Sequence, residues 1–133
     1  MKEKIIVTGS NGQLGTKLVT MLIDLGYVVI GLDHTHSEAT LANYVKVNLD
    51  ITDEIAVKDF FDGIADDELI AGLVNNAGTA VFTPFADRTY EEIKSVLDVN
   101  IVAAIFITQQ FMRISEGNKC QKRVVNIGSI YGH

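Results

Sequence analysis

Five short apolar runs, separated by longer segments of helical period, constrain the fold of this 133-residue chain most strongly. These runs predict strands at residues 5–7, 27–32, 44–49, 69–74 and 123–127. Continuous apolar runs are typical of parallel strands that are covered on both faces. Strands that alternate with helices favour a parallel sheet with right-handed crossovers. The sequence therefore predicts one domain, residues 1–133, with a doubly wound α/β fold.

Three of the intervening segments predict helices. The first spans residues 13–25, and Gly26 is well placed to end it in a left-handed conformation. The second follows Thr52 or Asp53, either of which can cap its first turn. The third is a long, largely apolar helix over residues 90–115 that opens on a capping-box pattern. Helices on both faces of the sheet are expected.

A glycine-rich turn joins the first strand to the first helix. Glycine lets backbone N–H groups approach a pyrophosphate because no Cβ intervenes, and the helix N-terminus adds a positive dipole. A strand, a glycine turn and a helix, in that order, form the context of a dinucleotide-binding fingerprint. The predicted cofactor contacts in this turn are Gly9, Ser10, Asn11, Gly12, Gln13, Leu14 and Gly15. The same cluster could be only a tight turn, so the residues at the ends of the other strands must distinguish a cofactor site from a turn without a ligand.

Ligands of a doubly wound sheet bind at the carboxyl ends of its strands. Asp33, at the end of the second strand, follows Gly9 by 24 positions, close to the separation at which an acidic residue meets the adenosine ribose. Its carboxylate would accept hydrogen bonds from both ribose hydroxyls and repel a 2′-phosphate. No Arg or Lys occurs between Gly31 and Tyr44. NAD is therefore favoured over NADP, although Asp33 could instead be a surface residue that caps a loop.

Charge and hydropathy argue against two classes of partner. The net charge is −6, from 11 basic and 17 acidic residues, and no basic run occurs. Nucleic acids and anionic membranes both require clustered Lys and Arg. The longest apolar block, residues 101–107, is too short to span a bilayer, and no signal peptide precedes the first strand. We therefore expect a soluble, cytoplasmic protein that binds neither nucleic acid nor membrane.

The remaining reactive side chains predict no further chemistry. Cys120 is the chain's one cysteine, so it forms no internal disulfide and fits a reducing compartment. His34 and His36 lie two positions apart in a polar loop and would need further ligands to hold a metal. A solvated loop is the preferred interpretation, and no metal site is expected.

Over its whole length the chain resembles the short-chain dehydrogenase/reductase family, because five motifs recur in order and spacing. They are the glycine turn, Leu49-Asp50, Asn75-Asn76-Ala77-Gly78, Asp98-Val99-Asn100 and Val125-Asn126-Ile127-Gly128-Ser129. The glycine turn is the least specific of them. The resemblance implies a Rossmann fold, an NAD(P) cofactor and hydride transfer between the nicotinamide and a small alcohol or carbonyl substrate.

The resemblance also implies individual roles. The implied cofactor contacts are Asp50 and Ile51 at the adenine, Asn76, Ala77 and Gly78 near the second ribose, and Ile127 on the fifth strand. Asn100 resembles the asparagine that kinks the long helix and holds a water in the proton relay. Ser129 resembles the serine that hydrogen-bonds the substrate oxygen and stabilises its charge. An asparagine in mid-helix could instead face solvent, but the apolar neighbours Val99 and Ile101 favour contact with protein.

One departure from the family bears on activity. The family's general acid/base is a Tyr followed by a Lys in a Tyr-x-x-x-Lys motif. Tyr131 lies only two positions after Ser129, and no Lys follows it. We therefore expect the N-terminal part of a longer single-domain enzyme, which alone binds NAD(H) weakly or not at all and reduces no carbonyl. We also expect a homo-oligomer, because a fifth strand without an outer neighbour exposes a pairing edge.

Two other functions remain open. The first is a non-catalytic dinucleotide-binding module, which needs no Tyr. The second is a nucleotide-sugar epimerase or dehydratase of the family's extended branch, because Gly9, Gly12 and Gly15 have the two-and-two spacing typical of that branch. The motif at residues 75–78 belongs to the simple branch and carries more weight. An oxidoreductase of the simple branch is the preferred hypothesis.

Overall fold

A computed structural model describes residues 1–114 and 121–128 of the chain. Its five strands are β1 (Lys4–Thr8), β2 (Val28–Asp33), β3 (Tyr44–Asn48), β4 (Ile70–Asn75) and β5 (Arg123–Asn126). They form one sheet in the order β3-β2-β1-β4-β5, and every neighbouring pair is parallel. The chain winds outward in both directions from β1. The gap between β1 and β4 is therefore the topological switch point, where such sheets bind ligands.

The helices are α1 (Gln13–Asp24), α2 (Glu54–Asp62), α3 (Tyr90–Leu97) and α4 (Ala103–Ile114). Two caps follow the sequence prediction, since Asp53 accepts a hydrogen bond from Ala56 N at 3.1 Å and Thr89 accepts one from Glu92 N at 3.1 Å. Gly26, just beyond α1, has a φ of +98°. The doubly wound α/β prediction is confirmed.

The sheet buries a different core on each face. One face packs against α1 through a buried cluster of Val7, Val19, Leu22, Val29 and Val74. The other face packs against α2 and α4 through a larger cluster, in which Phe61 and Phe111 are the largest side chains. Both sides of β1 and β4 are therefore covered, which explains their continuous apolar sequences.

The predicted continuous helix over residues 90–115 is wrong in one respect. A π turn, Asp98–Val102, separates α3 from α4. At its centre the Asn100 side chain hydrogen-bonds the backbone of Thr79 twice. A side chain bound to a neighbouring loop can hold the extra residue that a π turn accommodates, and such turns are frequent at functional sites. Ser115, the predicted end of the helix, lies outside the described residues.

The longest continuous apolar run, residues 101–107, does not by itself decide whether a helix of this chain could cross a membrane. The helical stretch Tyr90–Ile114 has 25 residues and is long and apolar enough to cross a membrane by length and composition alone. Its inward residues Ile107 and Phe111 are buried against the sheet, whereas 22% of its most apolar 18-residue window is buried overall. The predicted cytoplasmic location and the predicted absence of a membrane partner stay predictions.

Candidate functional site

A cavity of about 940 Å³ opens at the carboxyl ends of β1 to β4. Most of the predicted cofactor contacts line it: Gly9, Asn11, Gly12, Gln13, Leu14, Asp33, Asp50, Ile51, Asn76, Ala77 and Gly78. Five predicted site residues do not lie on its wall or are not described, and one of them, Asn100, is placed behind the loop that follows Gly78. Ser10 and Gly15 are buried behind the turn, and Ile127 lies on the far side of β4. Ser129 lies outside the described residues.

Gly9 shapes the turn through both its conformation and its closeness to the opposite wall. Its φ is +63°, which L residues with a side chain rarely adopt, and a Cβ there would lie 2.8 Å from Ala77 Cα. At Gly12 an added Cβ would meet nothing closer than 3.4 Å. The first glycine therefore serves the fold and the site together, whereas the second serves mainly as bare backbone at the cavity wall.

Thr8 connects the turn to the opposite wall of the cavity. Its buried hydroxyl accepts hydrogen bonds from the backbone N–H groups of Asn76 and Ala77, both at 3.0 Å. A further hydrogen bond joins the same two segments, because the side-chain amide of Asn76 donates to Gly9 O at 3.1 Å. The ends of β1 and β4 are thus joined by side-chain hydrogen bonds beyond the pairing of the sheet. Thr8 is not among the predicted site residues, and only its position at the end of β1 indicates its role.

Asp33 lies at the end of β2, facing the turn. Its carboxylate accepts hydrogen bonds from Asn11 N at 3.0 Å and from Thr35 N at 3.3 Å. The carboxylate therefore fixes the tip of the glycine turn and is also part of the cavity wall. An acidic group at this place can accept hydrogen bonds from vicinal hydroxyls of a ligand and repels a phosphate.

Asp50 follows β3 at the same edge. Its carboxylate accepts hydrogen bonds from the Thr52 hydroxyl at 2.7 Å and from Thr52 N at 2.9 Å. These two donors, with a small contribution from His34, hold the pKa of Asp50 below its ordinary value, against a smaller opposing effect of burial. The group is therefore ionised at neutral pH and adds to the negative charge of the cavity.

The two histidines of the predicted polar loop contact protein groups. His34 Nδ1 lies 3.3 Å from the Asp33 carboxylate. His36 Nε2 lies 3.0 Å from Val47 O, and its ring meets the Tyr44 ring edge to face. Within residues 1–114 and 121–128, no three His, Cys, Asp or Glu side chains are grouped as metal ligands.

One wall of the cavity comes from α3 and the π turn, which the sequence analysis did not assign to the site. Its residues are Glu91, Lys94, Ser95, Asp98 and Val99. A signal was present, because the four polar positions repeat at helical spacing on one face. The largely apolar sequence of the long helix predicted only a contribution to the core, and the polar face was therefore not assigned to the site.

Asn100 faces protein, as predicted, although the residue is exposed overall. Its Oδ1 accepts a hydrogen bond from Thr79 N at 2.8 Å, and its Nδ2 donates one to Thr79 O at 2.9 Å. Thr79 lines the cavity next to Gly78. Asn100 thus orders the loop after β4, while its predicted part in a proton relay stays a prediction.

Asn75 anchors the end of β4 from the side of α4. Its amide donates to Thr108 Oγ1 at 3.0 Å and to Asn126 Oδ1 at 2.9 Å. Ile127 N in turn donates to Asn75 O at 3.1 Å. These bonds bring the segment that precedes Gly128 beside the 75–78 turn.

Comparison with known proteins gives a consistent result. A family model described as short chain dehydrogenase matches residues 3–133. A Helicobacter pylori protein named "Probable short-chain type dehydrogenase/reductase VdlC" is 30% identical over 131 residues, covering 96% of this chain and 48% of the relative. The chain thus spans about half the length of the curated relatives it matches.

Solved structures agree on the architecture. A short chain dehydrogenase from Leptospira borgpetersenii with bound NAD+ superimposes with a TM-score of 0.92 at 30% identity, covering 99% of this chain and 53% of that one. A 4-hydroxyisoleucine dehydrogenase complexed with NADH gives a TM-score of 0.88 at 25% identity, with 98% and 57% covered. Structures of the same fold occur with NADP as well.

Proposed function

Because the chain belongs to the short-chain dehydrogenase family, we propose that its cavity binds NAD(H) for an oxidoreductase that converts small alcohols and carbonyl compounds. The observation that supports this most directly is the joint position of the glycine turn and Asp33 at the switch point of the sheet. Bare backbone for a pyrophosphate and a carboxylate for a ribose lie on one wall of one cavity.

The described residues fit such a cofactor. A Cβ at Gly9 would overlap the opposite wall, so the turn keeps its backbone exposed where a pyrophosphate would approach the start of α1. Asp33 would hold the adenosine ribose, and Asp50 with Ile51 would flank the adenine. Asn76, Ala77 and Gly78 would line the path toward the second ribose.

Asp33 supports NAD over NADP. A 2′-phosphate would meet its carboxylate, and the cavity is also lined by the acidic residues Asp50, Glu91 and Asp98. Lys94 is the one Lys or Arg among the described residues that line it. Close contact between like charges in a partly enclosed site is unfavourable, so the acidic side of the cavity selects the ligand with the smaller negative charge.

Two residues carry the proposed catalytic contribution of this chain. Nicotinamide, when bound, supplies or accepts the hydride. Ser129 would donate a hydrogen bond to the substrate oxygen, and Asn100 would order the cavity wall and the water through which a proton leaves. Both roles rest on the family motifs. The Tyr and Lys of the family motif do not occur at the required spacing within the 133 residues.

A second candidate is a dinucleotide-binding module without catalysis, because the described residues that line the cavity are accounted for by binding alone. The two functions differ in turnover and share the binding site. Reduction of a panel of ketones with NADH would support the oxidoreductase for the protein as assayed. For residues 1–133 alone we expect weak or no NAD(H) binding and no turnover under either function, because no Tyr-x-x-x-Lys motif follows Ser129 in them. Binding of NAD without turnover by a protein that includes this motif after Ser129 would support the module.

The cofactor proposal is tested by calorimetric titration of the chain with NAD, NADP and ADP-ribose. We expect NAD to bind about tenfold more tightly than NADP, a difference of about 1.4 kcal/mol. ADP-ribose should match NAD, because the Lys that would hold the nicotinamide ribose is absent from the chain. Asp33→Asn should reduce the ratio of NAD affinity to NADP affinity. Asp24 is an exposed acidic residue on α1, and Asp24→Asn should leave this ratio unchanged. Equal affinities for NAD and NADP in the wild type would contradict the role of Asp33.

A further inference from the structure

Tyr44, the first residue of β3, extends over the neighbouring strand to the back of the glycine turn. The residue between them is Gly31 of β2. A Cβ at Gly31 would lie 2.4 Å from Ser10 Oγ and 2.5 Å from the Tyr44 hydroxyl oxygen. Both hydroxyl groups therefore occupy the space above one bare backbone position, beside each other.

Ser10 has an unusual environment for a polar side chain. It is 1% exposed, and its Oγ makes no hydrogen bond of ordinary geometry in the described part of the chain. A buried hydroxyl without a partner is costly, so the nearby hydroxyl of Tyr44 is the group that can offset this cost. Burial raises the pKa of Tyr44, the Ser10 hydroxyl acts in the opposite direction, and the charge of Asp33 adds to the increase.

The Tyr44 ring is held in place from several sides. It packs at the edge of the α1-side core cluster that contains Val29 and Val19. The His36 ring meets it at 76° with 6.2 Å between centroids, and Lys46 Nζ lies 5.8 Å from its centre. A ring fixed in this way presents its hydroxyl to Ser10 with little freedom, and Ser10 in turn immediately precedes Asn11, whose N–H binds Asp33.

We propose that Tyr44 is a positioning residue for cofactor binding: through Ser10 it fixes the glycine turn from behind, so that the turn's N–H groups face the pyrophosphate. The proposal rests on the proposed NAD site. It explains why β2 has a glycine at position 31 in the middle of an otherwise apolar strand, since any side chain there would separate the two hydroxyls.

The test compares Tyr44→Phe and Ser10→Ala, alone and together, on the full chain. Tyr27→Phe is the matched control, because Tyr27 packs on the same core cluster beyond the other end of α1. NMR titration gives the affinities for ADP-ribose and for adenosine, which lacks the pyrophosphate. Hydrogen exchange of the backbone amides at Ser10 and Asn11 is measured without any ligand.

We expect Tyr44→Phe to weaken ADP-ribose binding about three- to tenfold, the size expected from one neutral hydrogen bond. Adenosine affinity should stay unchanged, exchange at the two amides should accelerate, and adding Ser10→Ala should cause little further loss. Equal losses for ADP-ribose and adenosine would reduce Tyr44 to a packing residue and overturn the proposal.

The outcome separates this proposal from the proposed function. If the wild type binds NAD and Tyr44→Phe changes neither affinity nor exchange, the positioning role is wrong and the NAD site stands. If the wild type binds no dinucleotide but Tyr44→Phe still accelerates exchange at Ser10 and Asn11, the contact holds the turn, and the proposed cofactor binding fails for residues 1–133.

Discussion

Asn100 forms both of its hydrogen bonds to the backbone of one residue, Thr79, which lies 21 positions earlier in the chain. Asn100→Ala should lower the free energy of unfolding by about 1 kcal/mol, the usual net value of such bonds, and accelerate hydrogen exchange at Thr79 N. Gln109→Ala, which removes an exposed amide from α4, is the control. Unchanged exchange at Thr79 in Asn100→Ala would show that the loop is ordered by other contacts.

Lys4 and Glu68 form an ion pair of 2.9 Å between the starts of β1 and β4. The Lys4 ammonium group holds the pKa of Glu68 below its ordinary value, with burial opposing. Because the pKa of Glu68 is lower in the folded state, its ionised form stabilises the fold at pH values above the ordinary pKa of glutamate. This contribution to the free energy of unfolding is lost as the pH falls through the folded-state pKa. Lys4→Met should therefore lower Tm at pH 7. The corresponding loss in the free energy of unfolding should be less than about 1 kcal/mol.

The difference between wild type and Lys4→Met should disappear in acid, below the folded-state pKa of Glu68. Thermal unfolding followed at a series of pH values measures it, with Lys2→Met as the control for loss of an exposed charge. A difference in Tm that is the same at every pH would mean that Lys4 stabilises by packing its aliphatic chain.

Single residues differ in how far their sequence reveals their role. The position of Asp33 at the end of β2 was predictable, because its distance from Gly9 along the chain corresponds to the length of one strand–helix–strand unit. The contact of Tyr44 with Ser10 was not, because it depends on the register of β3 against β2 and on Gly31 between them. No local pattern records which side chains meet across two strands.

The glycine turn is the element whose substitution separates fold from binding. Gly9→Ala should lower stability by about 1–3 kcal/mol, because a left-handed backbone is strained by a side chain and Ala77 lies in its way. Gly12→Ala should leave stability nearly unchanged, since its backbone is extended, yet it should weaken NAD binding by filling the cavity wall. Chemical unfolding and calorimetric titration of both variants measure this. Equal stability of Gly9→Ala and wild type would contradict the geometry of the turn.

Elements were predicted best where local sequence determines them. The capping residues of α2 and α3 and the glycine after α1 were recognisable because each satisfies backbone groups within one turn. The π turn was not recognisable from periodicity, because it depends on Asn100 binding a loop from elsewhere in the chain. Only the family resemblance indicated a kink there.

At the scale of the molecule, exposed apolar side chains occur on β5 and along the long helix, and also in the loop before it at Phe82 and Phe85. Val125 on β5 is 50% exposed, and Ile127, just after this strand, is 39% exposed. Within the described residues β5 is the last strand of the sheet. Exposed side chains on the long helix follow a helical spacing, at Ile93, Leu97, Ile101 and Ile105. Patches of this kind mark surfaces that become covered by protein.

We expect this chain to associate in solution. Light scattering after gel filtration should give a mass above 14.5 kDa that rises with concentration. Val125→Lys should reduce association by placing a charge on the edge strand, whereas Thr20→Lys on exposed α1 surface should not. A mass of 14.5 kDa at every concentration would refute the expectation.

The fold as a whole was accessible from sequence because alternating strands and helices permit few topologies. The assembly of the cavity was only partly accessible. Strand ends gather at one edge in any such sheet, so Asp33, Asp50 and Asn76 could be grouped in advance. The participation of α3 depends on the path of the loop from Thr79 to Thr89, in which one short 3-10 turn, Phe85–Asp87, is the regular structure.

The hydroxyl of Thr8, which binds the N–H groups of Asn76 and Ala77, has a consequence for the rate at which a ligand enters. These bonds join both walls of the cavity through protein groups alone, so no slow closure is needed to bring the walls together. The observed association rate should then rise in proportion to ligand concentration, without the plateau that a preceding conformational step imposes. Differences in affinity among ligands should therefore arise from differences in their dissociation rates.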